Sequence, residues 1–305
     1  MTDADAQARV GAPAVHGHGL ATAARSENRL RDFTTRLTRN RLTIAGGVIL
    51  ALVVVAALSA PVISPYDPLV QDALHLFAPP TPAHWMGTDD LGRDIFSRVI
   101  WGSRASLYVG AISVTIAVVC GVSLGLVAGY YGGWIDSVIA RLLDVVFAFP
   151  TILLALGIVG MLGPSLNNTM IAIGIVNTPI YARLARATTL SVKRREFVEA
   201  ATVAGANDLR LLRRHILPNI MAPLIIQTSL SLSLAILTEA SLSFLGLGTQ
   251  PPNPSWGTMV NTGQRLIELS PWLAVFPGFA IALTVLGFNL VGDGLRDALD
   301  PRLRG

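Results

Sequence analysis

The chain has 305 residues, of which 52% are hydrophobic and only 14% charged, with a formal net charge of +4. Soluble domains carry roughly a quarter of charged residues, so this balance, with a mean hydropathy of +0.56, excludes an ordinary soluble domain and indicates an integral membrane protein. Cys120 is the single cysteine, which excludes a disulfide framework and a multi-cysteine metal site; within its apolar run it reads as a small buried hydrophobe.

In chain order, residues 1–26 show no periodicity and read as a disordered tail, in which His16 and His18 are too few to hold a metal. Over 28–41, Leu30, Phe33 and Leu37 share one helical face with Arg29, Arg31, Arg36, Arg39 and Arg41 around them. This predicts a basic amphipathic helix lying along a membrane surface. The first apolar run starts near residue 42, too late for a cleavable signal. Spanning about 30 Å of hydrocarbon takes roughly 20 apolar residues in a helix. Six such runs are predicted, at 42–63, 105–130, 138–161, 169–189, 221–246 and 272–292. Nineteen of the 23 Arg and Lys fall toward one side, seven in residues 1–41, one in 131–141, eight in 183–214 and three in the C-terminal tail, and only Arg93, Arg98, Arg104 and Arg265 toward the other. The positive-inside bias therefore predicts both termini and the 190–220 connection in the cytoplasm, with 64–104 and 247–271 outside. The pI near 9.7 follows from this distribution and does not imply nucleic acid.

Polar residues within the runs need a reason. Asp144 lies near the cytoplasmic end of the third run, three residues after Arg141, so a local pair or an anchor between helices is expected. Glu239 lies in the outer part of the fifth run, as a pathway or gate residue or as the cap of the turn that follows. Asn177, Ser233 and Thr238 join it as pathway or gate candidates. Ser229, Ser231 and Ser233 alternate with leucines and leave no clean polar stripe, which suits close helix packing. Pro150, Pro179 and Pro277 each allow a kink. In the outer loop, "GTDDLGRD" contributes Gly87, Asp89, Gly92, Arg93 and Asp94, expected to be structural. It lacks the alternating ligands and closing Glu of a calcium loop. Its acids are expected to pair with Arg98 and Arg104, and "DIFSRVIWGSR" reads as a helix resting at the interface.

Catalytic patterns are missing. The one lysine, Lys193, stands in "SVKRR", so there is no P-loop. No HExxH occurs, the one GxSxG string, Gly121 to Gly125, lies inside an apolar run and not at a strand-to-helix elbow, and His75, His84 and His215 are too dispersed in sequence to suggest zinc. The chain is expected not to be an enzyme.

"EAATVAGANDLRLLRRHILP", Glu199 to Pro218, is long and charged for a connection between spans. Helix formers run to Gly205, where the helix can stop, and Asn207 or Asp208 suits the cap of a second helix. Leu209, Leu212 and Ile216 then share one face, and Pro218 is expected to end the helix before the fifth span. Ala200, Ala201 and Ala204 leave a small apolar face on which another protein can pack; a stiff connector is the plain alternative.

Glu199-Ala200-Ala201, three residues, Gly205, nine residues, then His215-x-Leu217-Pro218 resembles the EAA loop of ABC importer permeases. His215 stands where many members are apolar, as is common in the peptide-importer branch. "WMGTDDLGRDIFSRVIWGSRASL", "RLLDVVFAFP", "EASLSFLGLGTQPPNPSWG" and "GDGLRDALDPRL" are similar to the C-type permease of dipeptide and oligopeptide importers. The resemblance, from about residue 28 to the end, implies an all-α type I importer permease in a bacterial plasma membrane, with six membrane helices. It implies a cytoplasmic tail and amphipathic helix (1–41), a first span and outer loop (42–104), a five-helix core (105–292) with the EAA loop at 196–218, and a cytoplasmic tail (293–305). Expected partners are a B-type permease, two ATPase subunits, an external solute-binding protein and membrane lipid. ATP and magnesium would be bound by the ATPases, with no cofactor or metal in this chain. Glu199, Ala200, Ala201, Gly205, Ala206, Asn207, His215, Leu217 and Pro218 carry over as the ATPase-coupling residues. Peptide is the expected substrate, with nickel or another small ligand as the alternative. A proton-coupled secondary transporter using Asp144 and Glu239 is the rival from another class.

Overall fold

The structure, a computed structural model, describes residues 40–299. The amphipathic helix expected over 28–41 therefore lies, except for its last two residues, outside the described residues, as do the N-terminal tail and residues 300–305. Among the described residues the elements are all helical. They are α1 (Arg41–Leu58), α2 (Ala60–Ile63), α3 (Ile95–Tyr131), α4 (Gly133–Phe147), α5 (Thr151–Leu162), α6 (Leu166–Lys193), α7 (Glu196–Val203), α8 (Asp208–Arg210), a π turn (Leu211–Ile216), α9 (Leu217–Phe244), α10 (Trp256–Arg265) and α11 (Trp272–Leu299).

Helix boundaries follow local chemistry. Asn40 caps α1 by accepting from the Leu42 amide at 3.0 Å, Asp94 caps α3 through the Ser97 amide at 2.8 Å, and Ser165 caps α6 through the Asn168 amide at 3.1 Å. Each supplies an acceptor to an amide that the first helical turn leaves free. At 37 residues, α3 is about 55 Å long, well beyond the hydrocarbon core. Residues 95–104 are thus the first turns of this helix and not a separate helix at the interface. Ile95 and Val99 are buried there because the loop ends fold over them.

α1, α3, the Asp208–Phe244 stretch and α11 are long and apolar enough to cross a membrane. The third predicted run, 138–161, is not one straight span. α4 and α5 are bent by 89° at the break before Thr151, where Pro150 has no amide to continue the ladder. Neither piece alone, at 15 and 12 residues, reaches across 30 Å. The fourth run lies in α6, 28 residues long; Asn167, Asn168, Asn177, Arg183 and Arg186 keep its composition more polar than that of the spans. The count of four apolar spans, or five with the bent pair, falls short of six for that reason. α11 continues as helix to Leu299, past the expected end at 292.

The tightest contact is α3 against α6. A Cβ at Gly121 would lie 2.5 Å from the Thr178 carbonyl oxygen, and one at Gly129 2.9 Å from that of Arg186. With Gly125 between them, three glycines four residues apart let the two backbones touch, the packing used by membrane helices that have no hydrophobic effect to press them together. Around this seam Val109, Ala117, Val159, Tyr181, Leu211, Ile216 and Leu242 form the main core, and Ile95, Val99, Met259 and Leu273 form a smaller one at the end of the bundle that carries the long loops. That end is called the capped end below, and the opposite one, where Lys193–Arg214 lies, the basic end. Cys120 is exposed on the outer side of α3, not buried as expected, because the helix directs Gly121 at its neighbour instead. Ser229, Ser231 and Ser233 are buried among packed helices.

Candidate functional site

The basic end is organised around α7. Arg195 precedes it in extended conformation, and Glu196 and Glu199 lie in its first turn, where carboxylates complement the helix dipole. Val198 is 3% exposed and fixes α7 to the core, with Ala201 packed beside it. At the C-terminus the Gly205 amide donates to the Thr202 carbonyl and the Ala206 amide to the Ala201 carbonyl, both at 3.0 Å. This pair of bonds is a Schellman ending. It requires Gly205 at φ +82°, a left-handed conformation that costs a residue with a Cβ about 1–2 kcal/mol. A Cβ there would meet nothing within 4 Å, so the demand is purely conformational. Asn207 then accepts from the Arg210 amide at 2.9 Å, and Asp208 accepts from the Tyr130 hydroxyl at 2.8 Å, tying the turn to the end of α3.

Beyond this turn the structure departs from the sequence expectation twice. Leu209 is 57% exposed, whereas Leu211 and Ile216 are buried. Ile216 follows Leu211 by five positions, the hydrogen-bond span of the π turn that they bound, so the inward face moves from Leu209 to Leu211. Pro218 does not end the helix: the path from Asp208 to Phe244 is continuous. The Leu217 amide bonds the Leu212 carbonyl, five residues back. Pro218 lacks an amide, and the Asn219 side chain donates to the His215 carbonyl at 2.7 Å. The wide turn absorbs the proline that a regular helix would reject.

The outcome is a helix–turn–helix whose outward surface is small and apolar between charges. Glu199, Ala200, Ala204, Gly205 and Asn207 are exposed, with Phe197 and Val203 beside them, Val203 at 90%. Ala201, Ala206, His215 and Leu217 are half-buried beneath, and Pro218 is exposed. A groove of about 540 Å³ runs alongside, between Tyr130 and Lys193 on one wall and Glu199 and Val203 on the other.

Asp144 does not pair with Arg141. It meets Arg183 of α6 at 2.7 Å, and that guanidinium lies 3.9 Å from the centre of the Phe147 ring. The planar cation is held by a carboxylate and an aromatic face together, which makes the pair an anchor between α4 and α6. A second anchor that the sequence reading missed joins Arg186 to Asp136, Nε and Nη2 donating to the two carboxylate oxygens. Partners fifty residues apart leave no local spacing to detect.

Each of the four pathway or gate candidates is engaged by a hydrogen bond within the helix bundle. Glu239 is fully buried; Ser106 of α3 donates to it at 3.1 Å and Ser243 at 2.7 Å. Asn177 donates to the Ile173 carbonyl at 3.0 Å. Ser233 bonds Asn289 of α11 at 2.9 Å, and the half-buried Thr238 donates to Leu234.

The capped end is a second organised region. One Asp89 oxygen accepts from the Leu91 and Arg93 amides at 2.9 Å each, and the other meets Arg93 Nε at 2.7 Å and Arg98 Nε at 3.4 Å. Arg98, 5% exposed, also donates to the Pro68 carbonyl at 2.8 Å. Asp94 caps α3 with one oxygen and holds His84 Nδ1 at 2.9 Å with the other. Gly87 and Gly92, at φ +78° and +73°, turn the loop tightly enough for this. At the rim, hydrogen bonds from His75 and the Leu74 amide hold the Asp72 carboxyl below the ordinary carboxylate range. Arg98 thus pairs locally as expected and Arg93 joins it, but Arg104 makes no ion pair among the described residues and lies over the Trp101 ring at 4.9 Å.

Residues 121–305 match the family of binding-protein-dependent transport system inner membrane components. The chain belongs to that family. Residues 28–80 also match the N-terminal transmembrane domain of oligopeptide transport permease C, which makes it a C-type ABC importer permease. This permease is 47% identical over 274 residues, 90% of each chain, to a dipeptide transport system permease protein of Alkalihalophilus pseudofirmus. It is 46% identical, over 90% of its length and 91% of the relative's, to a glutathione transport system permease protein of Pectobacterium atrosepticum. It is 47% identical, over 90% and 93%, to a di/tripeptide transport system permease protein of Pseudomonas aeruginosa. Among solved structures, an inward-facing MetNI methionine ABC transporter chain superposes with a TM-score of 0.56 at 16% identity, covering 68% of the permease and 98% of that chain. That likeness concerns the fold. The permease is a transport protein and not an enzyme.

Proposed function

We propose that this permease forms half of the pore of an ATP-driven importer for peptides of two or three residues. A B-type permease supplies the other half, an external solute-binding protein delivers the peptide, and two ATPase subunits bind ATP and magnesium. The basic end, with both termini, faces the cytoplasm of a bacterial cell, and the capped end faces outward. Six spans cross the membrane, α6 among them, and residues 105–292 are the five-helix core.

The observation that carries the coupling role is the exposed surface of α7: Ala200, Val203 and Ala204 between the charges of Glu199 and Arg194, stopped by the Schellman turn at Gly205. A rigid helix with a small apolar face lets a second protein approach closely and transmit a push. Asp208 and Val198 link it to α3 and to the core, so movement of an ATPase would reach the spans. The dipeptide, di/tripeptide and glutathione relatives support the substrate class.

The test uses the complete importer in proteoliposomes. Glu199→Lys and Gly205→Pro are expected to reduce peptide uptake at least tenfold with normal membrane levels, while the ATPases continue to hydrolyse ATP without stimulation by loaded binding protein. Normal uptake in both variants would sink the coupling assignment. Uptake that survives inactivation of the ATPases and collapses with a protonophore would instead favour a proton-coupled carrier.

A further inference from the structure

Two cations of the capped end, Arg104 and Arg265, are exposed without an ion pair among the described residues, and Arg104 borders an apolar groove. Arg93 and Arg98 are engaged by Asp89, but Arg104 is exposed and makes no ion pair among the described residues. It lies at the end of a groove of about 410 Å³ between α1 and α3, whose other walls are Val54, Leu58, Leu107 and Tyr108. Leu58 is 77% exposed and Tyr108 52%. On the far side of Trp101 a second cavity of about 450 Å³ opens, bordered by Ser64 and Asn253. The Ser64 hydroxyl and the Trp101 indole N–H are buried in this region without a partner among the described residues.

Walked outward along α1 and α3, the surface changes from aliphatic to cationic to polar. A phospholipid has the same order: acyl chain, phosphate, polar head. An arginine at a membrane interface rests its stem on apolar surface and turns its guanidinium to the headgroups, where it meets phosphate oxygens through two hydrogen bonds. Tyr108 and Trp101 are the side chains usually found at that depth. We infer that the α1–α3 groove binds one anionic phospholipid, with an acyl chain along Val54, Leu58 and Leu107, the phosphate on Arg104 and the headgroup reaching past Trp101 toward Ser64. The charge of Arg104 is then matched by the lipid and not by the protein. Bound there, the lipid joins the first span to the long helix that continues into the capped end.

The test takes the full-length protein with its co-purifying subunits, stripped of loosely held lipid and placed in phosphatidylcholine nanodiscs doped with phosphatidylglycerol or, separately, with phosphatidylethanolamine. Native mass spectrometry is expected to find one phosphatidylglycerol retained by the unaltered protein. Retention should fall about tenfold in Arg104→Gln, the scale set by losing one charge-assisted contact, and similarly in Leu58→Trp, which fills the apolar part. Both positions are exposed, so thermal stability should hold. Benzoylphenylalanine at Tyr108 is expected to cross-link lipid. Equal retention by Arg104→Gln, equal retention of phosphatidylethanolamine, or cross-linking of Tyr108 to a partner subunit would each overturn the site.

Discussion

Asp89, Arg93 and Arg98 at the capped end and Glu199, Arg194 and Arg210 at the basic end are the same chemical groups in opposite settings. The first three are buried or nearly so and each is held by several partners; the second three are exposed. A buried charge must be matched where it stands, since leaving one unmatched costs several kcal/mol. An exposed charge is solvated in either case and contributes little to the fold, so it remains available to another protein. Charge count alone does not distinguish charges that hold the fold from charges that face solvent. Burial does.

Asp89→Ala attacks the buried side of this contrast most directly. It leaves Arg98 facing the Pro68 carbonyl with no acid, and about 3–5 kcal/mol of destabilisation is expected. The check is thermal unfolding in detergent, and an unchanged midpoint would erase the distinction between the two ends. A smaller effect separates two glycines of similar φ. Gly92→Ala would drive a Cβ into the Asp72 carbonyl, whereas Gly205→Ala meets open space. Gly205→Ala should therefore cost only the conformational 1–2 kcal/mol and Gly92→Ala clearly more; equal midpoints would show that the capped loop yields as easily as the turn after α7. The smallest effect is expected from Asp144→Asn. Its pair with Arg183 is more than half exposed, so the stability change should stay under about 1 kcal/mol and vanish near 1 M salt, where the screening length is about 3 Å. A change that survived that salt would move the pair to the buried class.

Which features the sequence disclosed follows from the range of the interactions that make them. Membrane helices arise from runs of apolar residues, so their order was legible, as was the turn at Gly205, where a local motif sets the backbone. The partner of Asp144 was not: Arg141 is close in sequence, but Arg183, thirty-nine residues on, is the one in contact. The break before Thr151 was readable as a kink at Pro150 but not as an 89° bend, since the angle depends on what packs around both pieces. His75 and His84 looked scattered, yet their rings come within 6.1 Å because the loop folds back on the start of α3. Leu209 failed as a core residue for a subtler reason. A helical period of 3.6 was assumed across a stretch that winds more slowly.

That slow turn sets a rotational phase. Each residue of an α-helix advances the direction of its side chains by about 100°, and the π turn inserts a lag between the spans and everything before it. The compass bearing of Leu209, Asp208 and α7 behind them is therefore set by the number of residues between Asn207 and Pro218, whatever their chemistry. Among those residues, single substitutions at exposed positions leave the bearing intact, but gaining or losing one residue swings the exposed face of α7 by about 100°. In this part of the chain, length is the conserved quantity to look for first.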